Sequence, residues 1–301
     1  MNNDLPRVRL FDTETTLRPM RAGDLAAMHG LVQQMSWPHR PEDCAQMFRL
    51  GAGVVAVEAA GNTIGVGMRW SFGHDVGTIG MVLVAPECQG RGIGRALMTS
   101  LIADVGPRAL MLNATAEGLA LYEKLGFVQI GHVFQHQARF AEQPVLPAAP
   151  TVRLRRAVLA DHAALCALDA AAFGADRSAL IETLLAAEGA WVVDGAERDG
   201  ARGAVRPAGF AVLRRFGRGM MIGPVVAPGE DEAIALVAAA ARAAPVGVLR
   251  VDIPAKAARL GDWLTSAGLP AIDTVTTMVR GDWPNLPNAL QRFGLAFQAV
   301  G

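Results

Sequence analysis

The stretch MVLVAPECQGRGIGRALM, residues 81–98, combines an apolar strand, a glycine-rich loop and the beginning of a helix. Gly90, Gly92 and Gly94 carry no side chains where the backbone turns into this helix, so several N–H groups can point into one concavity. The helix start adds a partial positive charge at the same place. The stretch therefore predicts a binding site for an anion such as a phosphate group.

Two arginines flank this loop and favour a phosphate ligand. The guanidinium groups of Arg91 and Arg95 match the geometry of phosphate oxygens. Neither standard nucleotide motif fits, because Arg95 stands where GxGxxG needs its third glycine and no Gly-Lys-Ser/Thr follows. A plain strand-to-helix turn is the alternative, but such a turn needs only one glycine.

The loop fits a third pattern, Gln-x-x-Gly-x-Gly after Val-x-Val-x-Pro. In this form it resembles the acyl-coenzyme A loop of the GNAT N-acetyltransferase superfamily. The resemblance implies that acetyl-CoA is the co-substrate and that its pantetheine chain pairs with the strand before the loop. The cofactor-binding residues implied in this way are Val82, Leu83, Val84, Gln89, Gly90, Arg91, Gly92, Ile93, Gly94, Arg95 and Asn113.

The resemblance continues through the segments 112–115 and 121–127 and implies a catalytic role for Tyr122, the only tyrosine of the chain. Acyl transfer from a thioester expels a thiolate, which a phenol at the sulfur can stabilise or protonate. With ordinary pKa values of about 8.5 and 10, complete proton transfer is uphill by about 2 kcal/mol. A tyrosine that only packs on its helix is the alternative.

The composition excludes several classes of partner. The chain has 28 basic and 28 acidic residues, so it has no net charge to attract nucleic acid or an anionic membrane. Its three cysteines have no CxxC spacing and indicate free thiols in a reducing compartment. The first residues lack the basic start and apolar run of a signal peptide. We therefore expect a cytoplasmic protein without a membrane or nucleic-acid partner.

The order of elements predicts an α/β fold built twice. Residues 1–143 read as β-α-α-β-β-β-α-β-α-β, a mixed, mostly antiparallel sheet flanked by helices. Residues 144–150 are a proline-rich linker. Residues 151–301 repeat the plan, with Leu17-Arg18 recurring as Leu154-Arg155. We expect two tandem GNAT-like domains.

The second copy differs from the first at the positions of the predicted binding loop and catalytic tyrosine. Gly229-Glu230-Asp231-Glu232-Ala233 replaces the glycine loop, and three carboxylates at a helix start repel a pyrophosphate. Leu264 aligns with the tyrosine of the first copy. This pattern predicts a degenerate second domain with a substrate-site or interface role. The tail 281–301 has no counterpart and is expected to cover a sheet edge or pack on a neighbour.

Acceptor-binding residues are predicted only by resemblance. Trp37 and His39 lie in the loop that commonly roofs the acceptor site of this superfamily. Asp176 and Arg177 lie in a polar break that resembles the tandem GNAT proteins whose second domain walls the acceptor site. The alternative for this pair is a helix cap followed by a helix-start charge.

The general base and a metal site are not evident. The strand before the loop has no carboxylate, and His74, Asp75 and Glu117 are the nearest candidates. His132 and His136 share a strand face without a cysteine or carboxylate in step, so no metal site is predicted.

Taken together, the sequence predicts an acetyl-CoA-dependent N-acetyltransferase that acts by direct attack of a primary amine of a small acceptor on the thioester. One alternative is a transferase for another acyl group or for a hydroxyl acceptor on the same fold. A non-catalytic acyl-CoA sensor is the other. Monomer and homodimer are both ordinary for this superfamily.

Overall fold

The computed structural model describes residues 7–10, 13–186, 189–198, 205–285 and 289–301. The first domain comprises β1 (Arg7–Leu10), β2 (Thr13–Pro19), α1 (Leu25–Gln34), α2 (Pro41–Leu50), β3 (Ala52–Glu58), β4 (Thr63–Phe72), β5 (Val76–Val84), α3 (Ile93–Val105), β6 (Ala109–Ala114), α4 (Leu119–Lys124) and β7 (Val128–Phe140). The second comprises β8 (Leu154–Arg156), α5 (His162–Phe173), α6 (Ser178–Leu185), β9 (Gly189–Arg198), β10 (Val205–Phe216), β11 (Gly219–Ala227), α7 (Glu230–Ala243), β12 (Gly247–Pro254), α8 (Ala258–Ser266), β13 (Ala271–Arg280) and β14 (Gln291–Gly294). From β2 to β7 the elements follow the order that the sequence predicts.

The strands form one continuous mixed sheet in the order β1-β2-β3-β4-β5-β6-β13-β7-β12-β11-β10-β9-β8, with β14 paired to β11. The predicted fold class, two tandem domains with a mixed sheet flanked by helices, is confirmed. The order also shows an exchange that the sequence did not predict. The last long strand of each domain pairs with the other domain, β7 with β12 and β13 with β6.

The exchange creates an internal two-fold axis at the centre of the sheet. From the antiparallel pair β13–β7, the order runs outward through β6, β5, β4, β3 and β2 on one side and β12, β11, β10, β9 and β8 on the other. Val133 lies opposite Val275 in this central pair. The two domains therefore meet as two subunits of a symmetric dimer do, although they belong to one chain.

A repeated ion pair shows the duplication at the level of side chains. Arg18 binds Asp24 through two bonds of 2.7 Å, and Arg155 binds Asp161 through bonds of 2.7 and 2.9 Å. Each aspartate also accepts a bond from a backbone N–H three residues earlier. Asp24 thus fixes the turn before α1 and makes no side-chain cap hydrogen bond to α1 itself.

The hydrophobic core is continuous between the domains. One cluster of buried side chains runs from β2 and α3 of the first domain to α5, α6 and β10 of the second. Phe72 of β4 and Phe173 of α5 meet edge to face with centroids 5.3 Å apart. Within the described residues, no helix combines the length and the apolar character needed to cross a membrane.

Candidate functional site

The first domain contains an open cleft between β5 and β6. These parallel strands pair only where Val76–Thr78 lies beside 109–111. Beyond Thr78, β5 continues to Val84 while β6 diverges from it. Within the described residues no strand pairs with the edge of β5 that faces the cleft, so Val82–Val84 can pair with an extended ligand as an added strand would.

A β-bulge marks the closed end of this cleft. The register between β4 and β5 shifts by one residue between the pairs Val66–Leu83 and Met68–Gly80. Met81 lies in the extra length and has a φ of 52°, a left-handed conformation that is uncommon for a residue with a side chain. Such strain is retained where the surrounding structure fixes it, and here it bends β5 at the cleft.

The glycine loop ends this cleft on its open side. Gly90 and Gly92 have φ values of 74° and 78°, which favour glycine. Gly92 caps α3, and its carbonyl accepts a 3.0 Å bond from Ala96. The N–H groups of the first helical turn therefore remain available for a ligand.

The side chains of the loop leave this concavity accessible. Gln89 donates to the Val84 carbonyl at 3.2 Å, and Arg91 donates to the Glu87 carbonyl at 2.8 Å, so both side chains brace the loop. The side chains of Arg91 and Arg95 are exposed. A Cβ atom at Gly90 would meet nothing within 4 Å. An open cradle of N–H groups beside two arginines fits the phosphates of a coenzyme A ester.

The corresponding cleft of the second domain is filled by its own chain. Strands β11 and β12 pair in parallel only over Met220–Ile222 and then diverge. β14 lies in this gap and pairs with Val225–Ala227 of β11. Leu295 then donates its N–H to the carbonyl of Asp252 on β12 at 2.9 Å. β14 thus occupies the place that stays open in the first domain.

The helix that follows β11 has an acidic start. Glu230, Asp231 and Glu232 form the first turn of α7, and its cap residue Gly229 is extended, with a φ of −152°. Glu230 accepts a 2.8 Å bond from the N–H of Leu260. Neither the left-handed glycines nor the arginines of the first loop recur here.

After β14 the chain crosses the sheet toward the first domain. Leu295 packs with Val133 and Val275 at the two-fold axis. Ala299 lies against Gly80, where any side chain would clash, because a Cβ at that position would be 2.6 Å from the Ala299 Cβ. Asn113 of β6 donates to the Gln298 carbonyl at 2.7 Å. The tail that sequence analysis left without a counterpart therefore joins the two clefts.

A cavity of about 310 Å³ opens where this segment meets the first cleft. Its inner wall includes Gly80, Met81 and Asn113 of the first domain. Trp37 and His39, the two predicted acceptor-site residues of the first domain, lie on its roof. The other walls come from the second domain and the crossing segment, and include Phe216, Arg218, Arg250, Asp273 and Gln298.

His39 is held in this roof by aromatic rings. Its ring lies 5.8 Å from Trp37 and 5.0 Å from Phe216 between centroids. Burial, with the nearby charges of Arg250 and Arg214, lowers the pKa of His39 to about 4. The imidazole is therefore neutral at pH 7, and its buried Nδ1 has no hydrogen-bond partner among the described residues.

Comparison with known proteins agrees with this architecture. Two family models, each described as an acetyltransferase (GNAT) domain, match residues 32–138 and 165–291. YitH, an uncharacterized N-acetyltransferase of Bacillus subtilis, is 30% identical over 244 residues, which cover 79% of this chain and 82% of YitH. The chain belongs to the GNAT acetyltransferase family. It is thus an acyltransferase with two GNAT domains.

More distant relatives show the same fold. A mycothiol acetyltransferase of Pseudarthrobacter chlorophenolicus is 30% identical over 151 residues, 42% of this chain and 46% of that enzyme. An acetyltransferase candidate from Pyrococcus horikoshii superposes with a TM-score of 0.76 over 99% of this chain and 100% of that one, at 19% identity. A GCN5-related N-acetyltransferase from Sphaerobacter thermophilus gives a TM-score of 0.63 over 91% and 98%, at 16% identity. These two solved structures share the GNAT fold.

Tyr122 of this GNAT chain lies on α4, directly after β6. Its ring packs edge to face on Phe127, with centroids 6.2 Å apart. It also covers Gly118, where a Cβ would come within 2.7 Å of the Tyr122 ring. Burial raises the pKa of Tyr122 to about 12, so the phenol is protonated at neutral pH. Its catalytic role stays a prediction.

Asp176 and Arg177 lie outside this cavity, and the substrate role expected for them stays a prediction. Arg177 is fully buried, pairs with Asp169 at 2.7 and 2.8 Å, and donates to the carbonyls of Val300 and Gly301. It thus anchors the crossing segment. Asp176 is exposed and accepts bonds from the N–H and hydroxyl of Ser178 at the start of α6, which is the capping alternative.

The structure also separates the candidate bases. His74 and Asp75 precede β5 at the paired end of the cleft, five residues or about 16 Å of strand from Gly80. Glu117 is exposed, and hydrogen bonds from its own backbone and from Thr115 lower its pKa, which makes it a weaker base. Asp273 of β13, which sequence analysis missed, is the carboxylate on the cavity wall among the described residues.

Asn113 and His136 have hydrogen-bond partners within the protein. Asn113 accepts a 2.7 Å bond from Thr277 as well as donating to the crossing segment, and its pantetheine contact stays a prediction. His136 is buried and its Nδ1 lies 2.8 Å from the Leu269 carbonyl. In the described part of the chain, no group of three or more His, Cys, Asp or Glu is placed to hold a metal ion.

Proposed function

We propose that the first domain binds acetyl-CoA between β5 and β6 and transfers its acetyl group to a primary amine of a small molecule in the 310 Å³ cavity. The observation that carries this proposal is that three features follow one another along β5. The glycine loop presents N–H groups that can bind an anion, the edge of β5 leads inward from it, and the cavity opens at Gly80.

Bound acetyl-CoA would supply a thioester carbonyl carbon for the amine to attack. The N–C bond would form as the C–S bond breaks, the neutral amine would lose one proton to solvent, and the sulfur would leave as a thiolate. In this scheme Val82–Val84 align the pantetheine chain by backbone pairing, and the loop holds the phosphates. The roof formed by Trp37 and His39 keeps the acceptor close to Gly80.

Tyr122 stabilises the leaving thiolate by donating a hydrogen bond. Its pKa of about 12 compares with about 8.5 for a thiol, so complete transfer of the phenol proton is uphill by about 5 kcal/mol. The raised pKa thus favours a hydrogen bond over proton transfer more strongly than the ordinary tyrosine pKa does. Final protonation of the thiolate then comes from solvent.

The second domain completes the acceptor cavity and binds no cofactor of its own. Two independent features support this part of the proposal. β14 lies in the β11–β12 gap, and the carboxylates at the start of α7 repel a pyrophosphate. The second domain instead contributes Arg218 and Asp273 to the wall of the acceptor cavity.

The test is acceptor-dependent release of coenzyme A thiol by the wild-type chain and by Tyr122→Phe. We expect kcat to fall by about 100-fold or more, because hydrogen bonds and proton transfers in a transition state contribute on that scale. The dissociation constant of acetyl-CoA should change little, since the phenol contributes after binding. Unchanged kcat would remove the role of Tyr122. Tight binding of acetyl-CoA without transfer to any amine would favour the sensor alternative.

A further inference from the structure

The acceptor cavity contains polar atoms that the protein itself leaves unpaired. Nδ1 of His39 and Nε2 of Gln298 are buried and have no hydrogen-bond partner among the described residues, and both residues line the cavity. Leaving such a group unpaired costs about 1–3 kcal/mol. The polar side chains of both residues at the cavity wall indicate a polar acceptor.

A buried positive charge lies beside the same end of the cavity. Arg214 is buried, its Nε has no partner within the described part of the chain, and its Nη2 donates to the Ala296 carbonyl. Its Cζ lies 4.0 Å from the Phe297 ring centroid and 5.0 Å from that of Phe216, which lines the cavity. Burial lowers the pKa of Arg214 to about 9, so it remains charged at pH 7.

The other charges on the wall do not cancel this field. Arg250 is neutralised by Asp252 through two bonds of 2.8 and 2.6 Å. Arg218 is exposed, and its contact with the Ser36 carbonyl is long, at 3.4 Å. Asp273 accepts a bond from the N–H of Thr274. Asp43, a nearby carboxylate that acts on both His39 and Arg214, is paired with Arg40 at 2.7 Å. Arg214 and Arg218 therefore face Asp273 on the cavity wall.

We propose that the acceptor is a small amino-carboxylate, a molecule of the amino-acid class. Its carboxylate binds at the end formed by His39 and Arg218, and its amine lies at Gly80 beside Gln298. Arg218 supplies a planar pair of donors that matches a carboxylate, and Gln298 donates to an oxygen of the same molecule. Trp37 and Phe216 cover its carbon skeleton. This inference rests on the proposed function and names the chemistry of its acceptor.

The experiment compares amino acids with their primary amides as acceptors at saturating acetyl-CoA. Each pair keeps the amine and the side chain and differs in the charge of the carboxyl group. We expect at least one amino acid to exceed its amide by about 10-fold or more in kcat/KM, the scale of one charge-assisted hydrogen bond. Amides that match or exceed every acid would overturn the proposal, as would a chain that binds acetyl-CoA but acetylates no amino acid.

Arg218→Gln and Arg242→Gln provide the matched variants, since both arginines are exposed and only Arg218 lines the cavity. Arg218→Gln should reduce the acid-to-amide ratio to within about 3-fold by raising KM for the acid, while the acetyl-CoA dissociation constant stays the same. Arg242→Gln should keep the ratio. A ratio that survives Arg218→Gln contradicts the assigned carboxylate site. If the wild-type chain binds no acetyl-CoA, the proposed function itself fails, so the two failures are distinguishable.

Discussion

The cleft between β5 and β6 and the cleft between β11 and β12 start from one plan and end differently. Each begins with three paired residues of two parallel strands, Val76–Thr78 in one and Met220–Ile222 in the other. The first then stays open and meets a glycine loop, whereas the second receives β14 and meets an acidic helix start. The duplicated plan therefore gives one open cleft and one filled cleft in the same sheet. The filled copy keeps the sheet continuous and contributes Arg218 and Asp273 to the cavity of the open copy.

The largest effect on acetyl-CoA affinity is expected from substitutions in the glycine loop of the open cleft. In the double variant Arg91→Glu, Gly92→Asp, a carboxylate and a side chain at a φ of 78° replace the phosphate cradle. Acetyl-CoA affinity should fall by more than about 100-fold, because charge repulsion adds to lost hydrogen bonds. Calorimetric titration measures this loss. Glu232→Arg, at the corresponding helix start of the filled cleft, is the control and should leave the affinity unchanged.

A second variant tests the buried ion pair that anchors the end of the crossing segment. Arg177→Met leaves Asp169 as an unpaired buried charge and frees the carbonyls of Val300 and Gly301. The free energy of unfolding should fall by about 3–5 kcal/mol, which urea denaturation measures. The double variant Asp169→Leu, Arg177→Met should recover most of this loss. A loss below about 1 kcal/mol in the single variant would contradict this anchoring role.

The pH dependence of stability tests the burial of His39 in the roof of the acceptor cavity. His39 has a pKa of about 4 in the folded chain and about 6.5 when unfolded, so the unfolded state binds the proton first. Stability is therefore lost as pH falls below about 6.5, by about 2 kcal/mol between pH 7 and pH 5. Asp24 and Asp161, whose arginine partners lower their pKa, lose their contribution only below about pH 4.

Urea unfolding of His39→Asn at both pH values checks this assignment. The neutral amide cannot take up a proton, so the difference between pH 7 and pH 5 should nearly vanish. A difference that stays at its wild-type size would place the titrating group elsewhere in the chain.

The smallest expected effect concerns Arg95, one of the two exposed arginines beside the glycine loop. Arg95 is the third residue of α3 and is solvent-exposed, so its contribution to phosphate binding is limited. Arg95→Gln should weaken acetyl-CoA binding by about 5-fold, equivalent to about 1 kcal/mol. The loss should shrink at high salt. Asp231→Asn, in the first turn of α7, should show no such change.

The open cleft could be read from the sequence, and the filled one only in part. The loop at 89–94 is local, because glycine positions and strand periodicity determine its backbone within a few residues. The carboxylates at Glu230–Glu232 are equally local. The pairing that fills the second gap is not local, because β14 pairs with a strand more than sixty residues earlier. The alternating side chains of β14 are also typical of many edge strands and do not identify its partner.

The exchange of β7 and β13 could not be predicted for a related reason. Either arrangement of these two antiparallel strands satisfies the same backbone hydrogen bonds and buries the same faces. The burial of Arg177 is hard to predict because its neighbour Asp176 is exposed. A sequence signal did exist, since Asp169 interrupts the apolar face of α5 and a buried carboxylate needs a cationic partner.

The number of acetyl-CoA molecules bound per chain tests the comparison between the clefts most directly. Calorimetric titration of the wild-type chain should give one site, and the Arg91→Glu, Gly92→Asp variant should give none. Two sites per chain would mean that β14 leaves its gap and that both domains bind the cofactor. A single site that persists in the loop variant would place the cofactor in the second domain, and the assignment of the two clefts would then be wrong.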